Sequence, residues 1–488
     1  MLKINSYQDF EYFLNNKLDP KGIVFGVGVT SFMRFFPGLF LHNYKLITFK
    51  DCKDNEIIKD YVDEIFILKK RRPTIKLPYT NANQILRNKT VRNYLNSYKG
   101  KKYLFLYKEN TNIKHAIKDM NLQVIGNSPR LNKMFEDKVN FRKILKKINL
   151  DPIPGDTVPL TYLQETDYQQ ITAKYGAKFV IQMPQFLLGG GKGTKFIDSK
   201  RQLNDYLRKV EDGVYKKKEI DIVNITKYVE GISCSVTCCA TKYGTLVSRV
   251  QQQILDIPQV ISPKKGCGLF VGHVFGLKFN RSIINQVNNL SIKLGDYMYQ
   301  KGFKGIFGID MIINTKENKV YPVECNARYT GALPMISMLH MKNRIIPLDW
   351  FHFLEFLKIP YKIDAKKLNK MYQKPIEGSH IVLSNIRDYS IEVKKELEVG
   401  LYKYNLKTKK IEFKKSSIFY DDLKSKNDFI LVDGVPKQGQ IIKKWSRLAR
   451  IVHVLFNADI LNQKHQLKKE YLEIVYAIYK SMFGKKQP

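Results

Sequence analysis

Residues 302–314 read GFKGIFGIDMIIN, and residues 321–331 read YPVECNARYTG. Each is an apolar, β-branched run, and the polar segment Asn314–Lys319 lies between them, so the pair predicts a β-hairpin with strands at Ile306–Ile313 and Val320–Cys325. An acid inside an apolar strand is costly unless something compensates its charge. Asp310 occupies such a position. Side chains alternate along a strand, so Glu324 and Asn326 share a face with Arg328, and the hairpin carries Asp310 towards them. Two carboxylates and an amide oxygen converging on one point suit Mg2+, which keeps waters and takes its remaining ligands from nucleotide phosphates. Arg328 adds a planar fork for a phosphate or an acyl phosphate.

Working outward, residues 180–194 read VIQMPQFLLGGGKGT. A strand leads into Gly189, Gly190, Gly191, Lys192, Gly193 and Thr194. Glycines let backbone N–H groups approach a phosphate closely. No GxxxxGK[ST] pattern is present, so this is not a P-loop. Upstream, Asp137–Leu150 places Phe141, Ile144, Leu145 and Ile148 on one helical face, and Pro152 and Pro154 end it. Downstream, strands are expected at Ile220–Tyr228, Ser233–Thr241 and Thr245–Gln251, with a long amphipathic helix over Ser282–Lys301 closed by Gly302.

The first segment alternates short apolar strands (Ile23–Gly28, Tyr44–Phe49, Glu64–Leu68, Tyr103–Tyr107, Gln123–Ile125) with helices, one of them expected from about Ser31. That pattern indicates a parallel α/β sheet. Gly26 and Gly28 read as a tight strand-to-helix turn rather than a dinucleotide site. Beyond Trp350 the strand-like pieces His380–Leu383, Ile411–Phe413 and Phe429–Val432 precede an apolar helix over Lys468–Phe483.

These motifs, in this order, resemble the ATP-grasp superfamily: NSPRLNKMFEDKVNFRKIL, the glycine loop, TKYVEGISCSV, and GIFGID with VYPVECNARYTG. The resemblance spans roughly residues 20–345. It implies an α/β and α+β chain in three parts: a parallel, pre-ATP-grasp domain over 1–126, a two-subdomain ATP-grasp region over 127–350 with its clamp at about 150–230, and a basic C-terminal α+β domain over 351–488. It further implies ATP and Mg2+ as cofactors, with Mn2+ able to replace Mg2+. Lys138 would reach the nucleotide phosphates, and the glycine loop would cover them. Lys227, Tyr228, Val229 and Glu230 would form the hinge that holds adenine, Asp310, Glu324 and Asn326 the metal site, and Arg328 the transition-state arginine. Gln182 stands where the family usually has a second lysine, with Lys178 or Lys192 as its substitute, and Ser233 stands where many members have an acidic or His ribose contact. The expected activity is ADP-forming ligation of a small-molecule carboxylate to an amine. Gln251-Gln252-Gln253, without a biotin-attachment motif, points away from bicarbonate and towards carboxylate–amine ligation; a carboxylase or carbamoyl-phosphate-type enzyme and a non-catalytic nucleotide-binding or RNA-associated protein are the alternatives.

The charge of +38, from 83 Lys+Arg against 45 Asp+Glu, is spread along the 488 residues. It reads as a solvated basic surface in preference to a nucleic-acid groove. The polar N-terminus and the lack of a long apolar stretch predict a cytoplasmic protein with no membrane partner. Six cysteines show no metal-binding spacing and read as buried, reduced thiols. The histidines are scattered, and His273 reads as a core residue in preference to a cavity-facing one.

Overall fold

A computed structural model describes residues 1–77, 81–184, 193–211, 221–262, 268–444 and 450–484. The N-terminal segment forms a five-stranded parallel sheet in the order Glu64–Ile67, Tyr44–Thr48, Ile23–Gly28, Lys102–Phe105, Leu122–Ile125. The helix expected from Ser31 is instead two 3-10 turns, Phe32–Arg34 and Phe36–Leu39. Pro37 has no N–H to continue an α-helical ladder, and the Gly38 amide bonds to the Phe35 carbonyl at 2.8 Å.

A four-stranded antiparallel sheet runs Gly155–Pro159, Ile222–Lys227, Phe179–Gln182, Thr194–Ile197. It buries its own core of Ile171, Phe179, Ile181, Leu203 and Ile225. The predicted hairpin is present as Gly305–Asn314 paired with Lys319–Asn326, at the edge of a sheet of eleven strands. From that edge the order continues through Ile232–Thr241, Gln251–Leu255 and Phe270–Val274. It then passes directly to Ser379–Ser384 and Arg450–Phe456, so strand pairing runs across residue 350. The helix Arg281–Gln300 is capped by the Asn280 side chain and packs Ile283, Val287, Leu290, Leu294 and Met298 on this sheet. Gly295 permits that approach, since a Cβ there would lie 2.4 Å from Thr245 Oγ1.

The parallel sheet is locked to the large sheet by aromatic packing. Phe105 meets Tyr329 edge-on at 4.9 Å and Phe353 at 5.0 Å; Trp350, fully buried, meets Phe40 at 5.0 Å and Phe10 at 5.3 Å. This contact fixes the chain just after Arg328 against the end of the Lys102–Phe105 strand. Among the described residues, no helix is long and apolar enough to cross a membrane.

The core also holds neutral histidines. Burial lowers the pKa of His273, His340 and His352 to about 3 and of His453 to about 4. The unfolded chain binds these protons from about pH 6.5 downwards, whereas the folded chain resists them. Their contribution to stability is therefore present above pH 6.5 and is lost as pH falls towards 3–4, at about 1.4 kcal/mol per pH unit for each histidine. Denaturant midpoints are expected to drop steeply between pH 6.5 and 5. His340→Met, at a fully buried site with no hydrogen-bond partner for either ring nitrogen, is expected to flatten that slope by one proton.

Candidate active site

The hairpin register sets Asp310 directly opposite Glu324, with a bulge immediately after Asp310. Asn326 Nδ2 donates to Asp310 Oδ2 at 3.0 Å. Burial, followed by the neighbouring Glu324 charge, pushes the Asp310 carboxyl well above the usual carboxylate range. Burial opposes ionisation of Glu324 too, but Lys138 and then Arg328 outweigh it and hold that carboxyl below its ordinary value. One acid of the pair is thus already neutralised by protein cations.

Lys138 opens the helix Lys138–Lys147, capped by Asp137, whose side chain accepts from the amides of Val139 and Asn140. Its ammonium lies 2.9 Å from Glu324 Oε2 and donates to Thr194 Oγ1 at 3.2 Å. It thereby bridges the hairpin and the four-stranded sheet. Asn224 Nδ2 holds the Lys138 carbonyl at 3.1 Å. Thr194 pairs with Gln182 across adjacent strands, so the buried Gln182 lies beside this bridge.

Arg328 follows the strand and is held on three sides. Nη1 donates to Tyr107 Oη at 2.9 Å, Nη2 to Asn326 Oδ1 at 2.5 Å, and Nε faces Glu136 Oε1 at 3.4 Å. Its Cζ sits 5.0 Å from the Tyr107 ring centroid. Glu136 is itself paired with Lys108. The sequence did not single out Glu136, Tyr107 or Lys108. Glu136 stands two residues before Lys138, but its partners come from distant segments.

These groups line a cleft of about 1730 Å³ between the C-terminal ends of the parallel strands and the face of the large sheet. Lys138, Gly193, Asp310, Glu324, Asn326 and Arg328 all line it. Gly189, Gly190, Gly191 and Lys192 lie outside the described residues, as does Cys267. Lys227 ends its strand, with its amide on the Pro154 carbonyl at 2.9 Å, and Tyr228 N reaches Lys178 O at 3.4 Å. The Lys178 ammonium rests 3.7 Å from the centre of the Tyr228 ring, so it is spent on that contact rather than on the cleft. Residues 227–230, Gln182 and Ser233 do not contribute to the lining of this cleft. Cys52, Cys234, Cys238, Cys239 and Cys325 are buried and free.

His273, expected to belong to the core, is both buried and on the cleft wall. It pairs in register with His380, at 3.0 Å between ring nitrogens, and His453 follows on the next strand with ring centroids 5.5 Å apart. Histidines that look scattered along the chain therefore form a row across three adjacent strands.

Residues 135–332 match the family model described as the ATP-grasp domain. Over 202 residues the chain is 22% identical to the [butirosin acyl-carrier protein]–L-glutamate ligase of Niallia circulans, covering 41% of this chain and 45% of that protein. Over 217 residues it is 23% identical to the carbamoyl phosphate synthase large chain of Caldanaerobacter subterraneus subsp. tengcongensis, covering 44% of this chain and 18% of that one. The match therefore spans less than half the length of these curated relatives. Among solved structures, the biotin carboxylase domain of Hydrogenobacter thermophilus 2-oxoglutarate carboxylase, determined with MgADP, ADP and bicarbonate, superposes with a TM-score of 0.59 at 12% identity, covering 89% of this chain and 86% of that one. Phosphoribosylamine–glycine ligase of Thermotoga maritima superposes with a TM-score of 0.55 at 13% identity, covering 93% and 95%. The fold is thus the mixed α/β arrangement of such proteins, and through residues 135–332 the chain carries an ATP-grasp domain.

Proposed function

We propose that this protein is an ADP-forming carboxylate–amine ligase. The observation that carries the reading is the convergence of Lys138, Asp310, Glu324, Asn326 and Arg328 on one cleft. In the proposed reaction a substrate carboxylate oxygen attacks the γ-phosphorus of ATP in line, the bond to the β,γ-bridging oxygen breaks, and ADP leaves. An amine then attacks the acyl phosphate, loses a proton, and expels inorganic phosphate. Lys138 and Arg328 position and neutralise the phosphoryl group, since such transfers depend mainly on placement and charge stabilisation. Asp310, Glu324 and Asn326 would hold Mg2+: their hard oxygen donors suit it, and a cation there offsets the mutual repulsion of two half-buried carboxylates. When bound, Mg2+ supplies charge neutralisation along the nucleotide phosphates. Gly193 and Thr194 cover the phosphates in this reading, and Lys227–Glu230 hold the adenine. In this reading the parallel domain over 1–126 supplies one wall of the cleft, and the large sheet, whose strand pairing runs across residue 350, supplies the other.

Similarity to a glutamate ligase and to phosphoribosylamine–glycine ligase supports amine acceptors. A carbamoyl-phosphate or carboxylase type is the second reading, favoured by the likeness to carbamoyl phosphate synthase and biotin carboxylase. The test is phosphate release from Mg-ATP across a panel of amino acids, small carboxylates and bicarbonate. Release that needs a carboxylate and an amine together supports ligation. Release driven by bicarbonate favours the second reading, and no release with any of them removes both.

A further inference from the structure

One buried cationic side chain in the cleft has no counter-ion among the described residues. Arg34 follows the Ile23–Gly28 strand, in the first 3-10 turn, and only 5% of its surface is exposed. Its backbone is pinned, because Tyr44 Oη donates to the Arg34 carbonyl at 2.5 Å. Gly26 and Gly28 make that placement possible: a Cβ on Gly26 would lie 2.2 Å from Tyr44 Oη, and one on Gly28 would lie 3.1 Å from Arg34 Cγ. The Gly-x-Gly turn therefore seats this arginine.

The guanidinium lies 5.5, 5.6 and 5.7 Å from the ring centroids of Phe105, Tyr107 and Tyr329. Nη1 donates to the Met33 carbonyl at 2.6 Å, and Nε has no partner. Among the described residues no carboxylate comes within ion-pairing distance. Asp433, on the same cleft, is engaged by Thr30 Oγ1 at 2.5 Å and faces His453 Nε2 at 3.6 Å. Two other arginines, the buried Arg142 and the half-buried Arg249, behave differently. Arg142 and Arg249 each place both terminal nitrogens on backbone carbonyls. Aromatic faces offer no lone-pair acceptor to the guanidinium N–H groups, and a buried charge without hydrogen-bonding compensation is costly, so a hydrogen-bonding anion is the missing partner. Tyr107 is shared, its ring lying close to both Arg34 and Arg328. Arg34 thus stands one ring away from the proposed reaction centre. His380 Nδ1 and His453 Nδ1, buried and without hydrogen-bond partners among the described residues, supply neutral hydrogen-bonding groups on the same cleft.

We infer that Arg34 binds an oxyanion of the substrate, a carboxylate or phosphate group remote from the carboxylate that reacts. The word "substrate" rests on the ligase reading, but the anion site stands on its own geometry. The test is calorimetric titration of the full-length protein with malonate, with inorganic phosphate, and with uncharged malonamide as control. The unmodified protein is expected to bind malonate or phosphate at millimolar concentration and not malonamide; which anion binds distinguishes a carboxylate from a phosphate. Arg34→Met is expected to weaken that binding at least about tenfold, while Arg344→Met, at an exposed arginine paired with Glu11 away from the cleft, changes it little. Absence of binding to the unmodified protein, unchanged affinity in Arg34→Met, or equal loss in both variants would overturn the proposal. If Arg34→Met does not fold, Arg34→Lys decides, because it keeps the charge and loses the fork: several-fold weakening supports the site, and unchanged affinity removes it. Failure of the phosphate-release assay would leave this result untouched.

Discussion

Asp310→Asn is expected to lower phosphate release about 10³-fold, and Glu324→Gln by a similar factor, each measured at saturating ATP and substrate. Both substitutions keep the side-chain volume and remove one negative charge, so neither opens a cavity. Their consequences for the free protein differ. Asp310 is the acid that burial and its neighbour push towards the neutral form, so its amide is tolerated, and folding stability holds or rises slightly. Glu324 is the acid that neutralises Lys138 at 2.9 Å, so its amide leaves a buried ammonium without its partner. Glu324→Gln is therefore expected to lose stability as well as rate. Raised Mg2+ concentration is expected to recover part of the rate in each variant, since a weakened metal site can still be filled by mass action. The double variant is expected to be little worse than either single one, because the pair acts as a unit. Full activity in both single variants would refute the assignment.

The hairpin was legible because its signals are local. Two apolar runs at period two, a polar turn between them and charged residues in mid-strand place Asp310, Glu324 and Asn326 together without knowledge of the rest of the chain. The parallel strands and the helix Arg281–Gln300 were legible for the same reason. The passage of the large sheet from Phe270–Val274 to Ser379–Ser384 was not, since nothing in either strand names a partner about a hundred residues away. The site divides along the same line. Lys138 could be placed from its motif. Tyr107, which holds Arg328 from 221 residues away, could not, nor could the row His273, His380 and His453, which exists only through strand register. The turn after Ser31 shows a third cause: the strand–helix alternation suggested a helix there, and Pro37 breaks the hydrogen-bond ladder a helix would need.

Arg328→Met is expected to reduce kcat about 10³-fold, with a much smaller change in the KM for ATP. The guanidinium is fixed before any substrate arrives. Tyr107, Asn326 and Glu136 take one nitrogen each, and the Tyr107 ring lies against its face. A group so held costs little reorganisation when charge develops on a phosphoryl oxygen, so its contribution is greater in the transition state than in the bound ground state. Arg328→Lys is expected to recover no more than about tenfold of the loss, because an ammonium cannot span three partners or stack on the ring. Tyr107→Phe keeps the ring and removes the hydroxyl that accepts from Nη1. It is expected to cost about tenfold, the order of one hydrogen bond to a charged group. Arg34→Met provides the contrast, raising the KM of an anionic substrate while leaving kcat nearly unchanged. A KM effect at Arg328 with kcat preserved would mean that it anchors substrate rather than the reacting phosphoryl group, and the two arginines would exchange roles.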